Sequence, residues 1–498
     1  MHDLKNKNIP TGFFLLTAAY VYIIFVTLGY DSAWMLPEVF KIKSSIVAMM
    51  HSENGIFWPL TYIFRFDVFE FGPRTTRPLS SLFEIADTFF RVGLWKFMTP
   101  HPSLSLSFIF TLVLSPYCLY KLLRNWDLTA NQATIAVSFY LVQPGTLSLL
   151  AMYFRPGKAI AIFLMILSFL LASMIQKRQA SGEKAGLPVF ICLYLSLVTG
   201  FFFDETAAVF YVAFLILFYD VVMRPKKFFI AFASIPFLIA ALYFYVFPLI
   251  SVLLHSTRAV FADYIADELI VNIYLPFIQY SLLSNFRVLF RESLMLFSPG
   301  YAPSPGFKIL FGIQYLMIAG VLAYSGFLLV RQIMKRSFQS IPQKFLIQAV
   351  LVVLWGGLAH GLFMNITSNN IWGPYWYGSY TGVFLVLLIA GLYKIQDRGF
   401  GRMVSVAAAS TMILSMLTFP YLNSVYKKYH YYPHAPIHIQ QFFEWDQNRF
   451  ETVRDDMPRD IRGRIQRIAA LSRTGADLRE EKVIPELFWL PIELYRSR

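Results

Sequence analysis

Asp31 stands directly after an apolar run, 11–29, in the triplet Tyr30–Asp31–Ser32. An ionisable group at the edge of a membrane-spanning segment is a functional candidate by default, and the competing assignment is a solvated aspartate that caps a helix end. Asp67 and Glu70 lie further along the same stretch, with Glu38 held in reserve. Asp31 comes first because it would sit at the outer membrane surface, where a carboxylate can face a cavity, and Asp67 and Glu70 lie in more solvent. Basic residues follow close by. Arg74 and Arg77 bracket Thr75 and Thr76, and Arg155 and Lys158 share the turn Tyr153–Phe154–Arg155–Pro156–Gly157–Lys158. Fixed cations of this kind suit a phosphate; the alternatives are pairing with Asp67 or Asp204, or snorkelling to headgroups.

A second group of candidates could hold an acceptor or a sugar. Asp204 and Glu205 are adjacent acids in the short hairpin Phe201–Phe202–Phe203–Asp204–Glu205–Thr206, where they call for a basic partner or a metal, or else form a solvated turn. Trp376, Tyr377 and Tyr380 crowd a late loop with Trp372 and Tyr375; such rings stack on sugar faces and equally form an interfacial belt. His430, His434 and His438 recur every four residues, but Pro433 and Pro436 prevent the helix that would align them on a metal. Metal ligands are therefore not assigned, and a divalent cation is left open as a cofactor. No phosphate-cradling glycine loop, paired-cysteine site or serine-hydrolase elbow occurs, so ATP is not expected to drive the chemistry here.

These residues must be positioned by elements that live in a bilayer. The chain is 57% hydrophobic and 14% charged with a mean hydropathy of +0.54, far from the composition of a soluble domain. A bilayer core about 30 Å thick needs about 20 apolar residues per spanning helix. Eleven such stretches are expected, at 11–29, 104–122, 132–151, 158–175, 187–203, 205–222, 228–250, 308–330, 345–364, 378–393 and 403–420. Every second connector is basic: Lys5 and Lys7; Lys121 and Arg124; Lys177, Arg178 and Lys184; Arg224, Lys226 and Lys227; Arg331, Lys335, Arg336 and Lys344; Lys394, Arg398 and Arg402. The positive-inside bias then puts the N-terminus in the cytoplasm and the C-terminus outside. The net charge of +14 is accounted for largely by these clusters beside anionic headgroups, with no nucleic acid as partner.

The expected architecture is an all-α polytopic membrane domain, 1–420, followed by a small soluble region, 421–498, in which acids and bases are both frequent. The first outward loop, 30–103, and the second, 251–307, are long enough to build a site. Within the first, residues 79–97 read as an amphipathic helix lying in the outer interface, with Ser80, Glu84, Asp87 and Arg91 on its polar face. Residues 31–52 are the candidate for a second such helix. The only two cysteines, Cys118 and Cys192, lie inside spans and suggest neither a disulfide nor a zinc site.

The acid after the first span, the large first outward loop and the run Arg77–Pro78–Leu79–Ser80–Ser81–Leu82–Phe83–Glu84 resemble the GT-C class of integral-membrane glycosyltransferases. Asp204–Glu205–Thr206 is similar to that family's Lys-Glu-Thr-type hairpin, with Asp in place of Lys, and Trp376–Tyr377–Gly378–Ser379–Tyr380 is similar to its late aromatic segment. Asp31–Ser32 departs from the paired acids of many members. The resemblance, over roughly 10–400, implies an inverting transfer of sugar from a polyprenyl-phosphate donor to a cell-envelope glycan, lipid or protein on the outer face. Asp31 or Asp67 would serve as base and Arg74, Arg77, Arg155 and Lys158 as partners of the lipid phosphate. The short loops favour a bacterial inner membrane with the site facing the periplasm. Two other classes stay open: a flippase or transporter of lipid-linked glycans, and a surface-polysaccharide polymerase or ligase.

Overall fold

The computed structural model describes residues 57–64, 66–69, 72–75, 77–95, 106–143, 145–146, 149, 156–183, 186–204, 206–223, 226–247, 249–250, 304–334, 341–367, 379–395, 398–426, 463 and 467. The expected first span, most of the loop 251–307 and nearly all of the tail lie outside them.

Helices dominate. In chain order they are α1 (Trp58–Ile63), α2 (Pro78–Trp95), α3 (Ser115–Asn125), α4 (Ala130–Val142), α5 (Pro156–Ala180), α6 (Leu187–Phe203), α7 (Thr206–Met223), α8 (Lys226–Ala233), α9 (Ile235–Ala241), α10 (Pro305–Met334), α11 (Ile341–Thr367), α12 (Thr381–Tyr393) and α13 (Arg398–Tyr426). Single π-helical turns, Ile109–Leu114 and Leu242–Val246, lead into α3 and follow α9. The sequence reading did not include strands, yet β1 (Phe66–Phe69) and β2 (Gly72–Thr75) form an antiparallel hairpin between α1 and α2.

Proline and capping chemistry set many boundaries. Pro78, Pro156 and Pro305 open α2, α5 and α10, where a missing N–H and a fixed φ do no harm. Thr129 and Gln132 form a reciprocal capping box at the start of α4. That helix stops at Val142, well short of the expected 132–151, because Gln143 precedes Pro144 and is held extended at ψ 141°. Likewise 228–250 is not one helix: α8 gives way to α9 at Ser234, with Pro236 in the new first turn. By contrast α6 covers 187–203 as expected.

Among the described residues three helical stretches are long and apolar enough to cross a membrane: Gly157–Ala180, Pro305–Phe327 and Gly399–Leu417. Ile309, Ile313 and Leu316 recur at i, i+4 and i+7 on α10 and are all exposed, an apolar stripe that water would not tolerate at this length. The chain is accordingly a helical membrane protein. α5 is its ruler: it packs against α2, α3, α6 and α7, while α12 is wedged between α4 and α11. Lys158 and Lys177 stand at opposite ends of α5, about 28 Å apart at 1.5 Å per residue.

The Lys177 end gathers several of the basic connectors. Lys177 Nζ lies 4.0 Å from Asp127 Oδ1, which also attracts Lys394; Lys394 in turn sits over the Phe345 ring, and Phe345 meets Trp126. Asp127 takes a left-handed φ of 62°, which turns the chain from α3 into α4.

Candidate functional site

The Lys158 end is built where the starts of α2, α5 and α7 converge. Gly157, at the start of α5, makes the convergence feasible: a Cβ there would stand 2.2 Å from Ser80 Oγ and 2.9 Å from the Phe203 carbonyl oxygen. Three sequence-distant charges meet around this junction. Arg77 Nη1 is 3.1 Å from Asp204 Oδ2, with the arginine 24% exposed and the aspartate 1%. Lys158, 3% exposed, adds a second positive charge that acts on Asp204, and Asp204 Oδ1 accepts the Thr206 N–H at 3.0 Å. Burial pushes the Asp204 carboxyl up, but Arg77, Lys158 and the Thr206 amide together outweigh it and hold it below its ordinary value of 3.8. Among the described residues, Arg77, Lys158 and the ionised Asp204 carboxylate thus meet beside the positive ends of three helix dipoles.

A second layer comes from α2, and it corrects the sequence reading of that helix. Ser80, Glu84 and Asp87 do not face solvent; all three are buried against the protein, while Leu82 is 47% exposed on the other side. In a bilayer the surroundings are apolar, so the polar face of an edge helix turns inward. Glu84 Oε2 accepts a hydrogen bond from the Tyr62 hydroxyl at 2.8 Å. Asp87 Oδ1 accepts the Leu106 N–H at 2.8 Å, which places a carboxylate at the positive start of the helix leading to α3. Phe83 closes the junction with edge-on contacts to Phe110 and Phe203.

Of the residues singled out from the sequence, the structure brings together Arg77, Lys158 and Asp204, by the pairing alternative named for Arg77. Arg74 and Asp67 are in register opposite one another in the β1–β2 hairpin. Tyr380 is not on a surface: it is fully buried, donates its hydroxyl to the Gly356 carbonyl at 3.2 Å and packs on Phe384. Asp31, Arg155, Glu205, Trp376 and Tyr377 lie outside the described residues, as do Glu70 and His430, His434 and His438. Glu84, Asp87 and Tyr62 are the site residues the sequence reading missed. The signal for the first two was their spacing with Ser80, read with the wrong assumption about which side was polar.

Among the described residues no three His, Cys, Asp or Glu side chains group as metal ligands. A small cavity of about 70 Å³ lies elsewhere, among Phe139, Leu322, Leu388 and Val404, and its lining is almost wholly apolar. Comparison with protein-family models, with curated proteins and with solved structures finds no match to this chain.

Proposed function

We propose that the chain is an inverting membrane glycosyltransferase that takes a sugar from a polyprenyl phosphate and works at the Lys158 end of the bundle. The observation that supports it most is the meeting of Arg77 and Lys158 with Asp204, the last two buried. Preorganised cations in a site of low dielectric stabilise charge that develops on a leaving phosphate. In this reading Asp31, or Asp67 in its place, takes the proton of an acceptor hydroxyl. The acceptor oxygen bonds to the anomeric carbon as the bond from that carbon to the phosphate oxygen breaks. The electron pair leaves on the polyprenyl phosphate, whose charge Arg77 and Lys158 answer, with Arg74 and Arg155 as further candidates. In this reading the positive-inside bias orients the Lys177 end toward the cytoplasm and the site toward the outside, and the membrane is a bacterial inner membrane.

The test is sugar transfer by the purified full chain in detergent, offered a panel of polyprenyl-phosphate sugars with envelope glycan extract as acceptor. Asp31→Asn should lower the rate by about 10²–10⁴-fold, the usual contribution of one positioned base. Transfer that survives the substitution moves the base to Asp67; failure to consume any donor contradicts the proposal.

Broken helices favour a second reading, a flippase for lipid-linked glycans. α7 leaves helical geometry at Phe218, and α8 and α9 meet at a break followed by a π-helical turn. Translocation of labelled lipid without donor consumption would support it.

A further inference from the structure

The Lys177 end of the bundle carries a built cluster of its own. Gly157–Ala180 is long enough to span a bilayer, so Lys177, in the last turn of α5, stands at headgroup level. The turn between α3 and α4 is fastened to that helix end: Asn125 Nδ2 donates to Ser173 Oγ at 3.0 Å, and Arg124 donates to the Leu128 carbonyl and closes the loop. Within this turn Asp127 lies 4.0 Å from Lys177 and also acts on Lys394, the residue that ends α12. Lys394 is seated 5.3 Å above the centre of the Phe345 ring, and Phe345 packs edge-on against the buried Trp126 with ring centres 4.6 Å apart. Four elements far apart in sequence thus bring two lysines, one carboxylate and an aromatic floor to one place.

A positive-inside bias alone calls for exposed lysines whose ammonium groups reach water. Lys177, 58% exposed, is of that kind; Lys394 is not. Burial pushes the Lys394 amine below its ordinary 10.5, and the Asp127 charge restores only part of the loss. Asp127 is a weak counter-ion: it is 85% exposed, answers both lysines, and stands at the outer limit of ion pairing with Lys177. An ammonium held over an aromatic ring, partly out of water and sharing one exposed acid, gains most from a further anion. At this depth the anions at hand are the phosphates of the lipids. We propose that Lys394 and Lys177, with Phe345 and Trp126 as floor and the α3–α4 turn as wall, form a binding site for the headgroup of an anionic phospholipid. The site is independent of the transfer reaction, since it lies the length of α5 away from Asp204.

The experiment uses the full chain in a non-ionic detergent, with phosphatidylglycerol, phosphatidylcholine and inorganic phosphate as separate probes, read by native mass spectrometry and by thermal unfolding. The wild type should retain phosphatidylglycerol over phosphatidylcholine. Lys394→Gln should weaken phosphatidylglycerol binding about fivefold, the worth of one lysine beside an anionic lipid. Lys177→Gln, at a more exposed position, should weaken it less and serves if Lys394→Gln does not fold. Asp127→Asn removes the competing carboxylate while asparagine keeps the left-handed turn, so it should bind phosphatidylglycerol more tightly than the wild type. Lys308→Gln makes the same change of charge on α10, about 24 Å along the helix from Tyr324, which packs on Phe400 near the Lys394 end; it should leave binding unchanged. Equal retention of the two lipids by the wild type overturns the site. Equal losses in Lys394→Gln and Lys308→Gln overturn it too, since net charge alone then attracts the lipid. Displacement of phosphatidylglycerol by inorganic phosphate at matching concentration also overturns it, because a soluble anion is then the ligand.

Discussion

Arg77 and Asp204 form an ion pair at 3.1 Å that fastens the entry of α2 to the hairpin between α6 and α7. Removing one partner of a buried pair costs about 3–5 kcal/mol, because the other charge is left without an answer. Lys158 also faces Asp204, so Arg77→Gln should fall near the lower limit, about 3 kcal/mol. Arg77→Gln with Asp204→Asn should cost less than the two singles added, by about 0.5–3 kcal/mol of coupling, measured by unfolding in detergent.

The pH dependence of that pair has a fixed sign. Asp204 is held below its ordinary 3.8, so its contribution to stability is complete above that value and is lost as the pH falls through the depressed folded value. The difference in unfolding temperature between wild type and Asp204→Asn should stay flat from pH 8 to pH 5 and shrink only in stronger acid. A difference that fades between pH 7 and pH 5 would mean that the carboxyl is not held low.

Glycines near the site and away from it should respond differently to alanine. Gly157→Ala drives a methyl into Ser80 and the Phe203 carbonyl and should destabilise by about 1–3 kcal/mol. Gly200→Ala meets the terminal methyl of Met165, a flexible side chain that can move, and should cost less. Gly326, with nothing around a new Cβ, should accept alanine with no loss and a gain of up to about 1 kcal/mol. Thermal unfolding of the three variants gives the ranking.

Tyr62 supplies a hydroxyl to the buried carboxylate of Glu84. Tyr62→Phe should lower stability by about 1.5–3 kcal/mol, the usual worth of a hydrogen bond to a charged group. Glu84→Gln keeps a carbonyl acceptor for that hydroxyl and should cost less. If Tyr62→Phe is neutral, the contact does not hold α1 to α2.

What the sequence discloses here follows from how local each cause is. The bounds of α6 are legible because its apolar run, Leu187–Phe203, is closed by a proline-containing start and an acid at its end. Reading 132–151 and 228–250 as single spans overlooks Pro144 and Pro236, whose backbone effects outrank hydropathy. The polar face of α2 is legible but its direction is not, since Ser80, Glu84 and Asp87 turn inward only because the outside is apolar. Arg77, Lys158 and Asp204 are each visible as outward charges. Their meeting depends on the packing of α2, α5 and α6 around Gly157, and nothing within a few residues of any of them encodes it. The departure of Phe218 from helical geometry has no proline or glycine beside it to announce it.

The most direct measurement is made on the full chain reconstituted in liposomes that contain one labelled polyprenyl-phosphate sugar, with sugar transfer and lipid translocation followed together for wild type and Arg77→Gln. A glycosyltransferase with its leaving-phosphate site at Arg77 should consume the donor and yield product in the wild type, and should lose at least about tenfold in rate in the folded variant. Donor that crosses the bilayer unconsumed, at a rate the substitution leaves unchanged, would contradict both the reaction and the site.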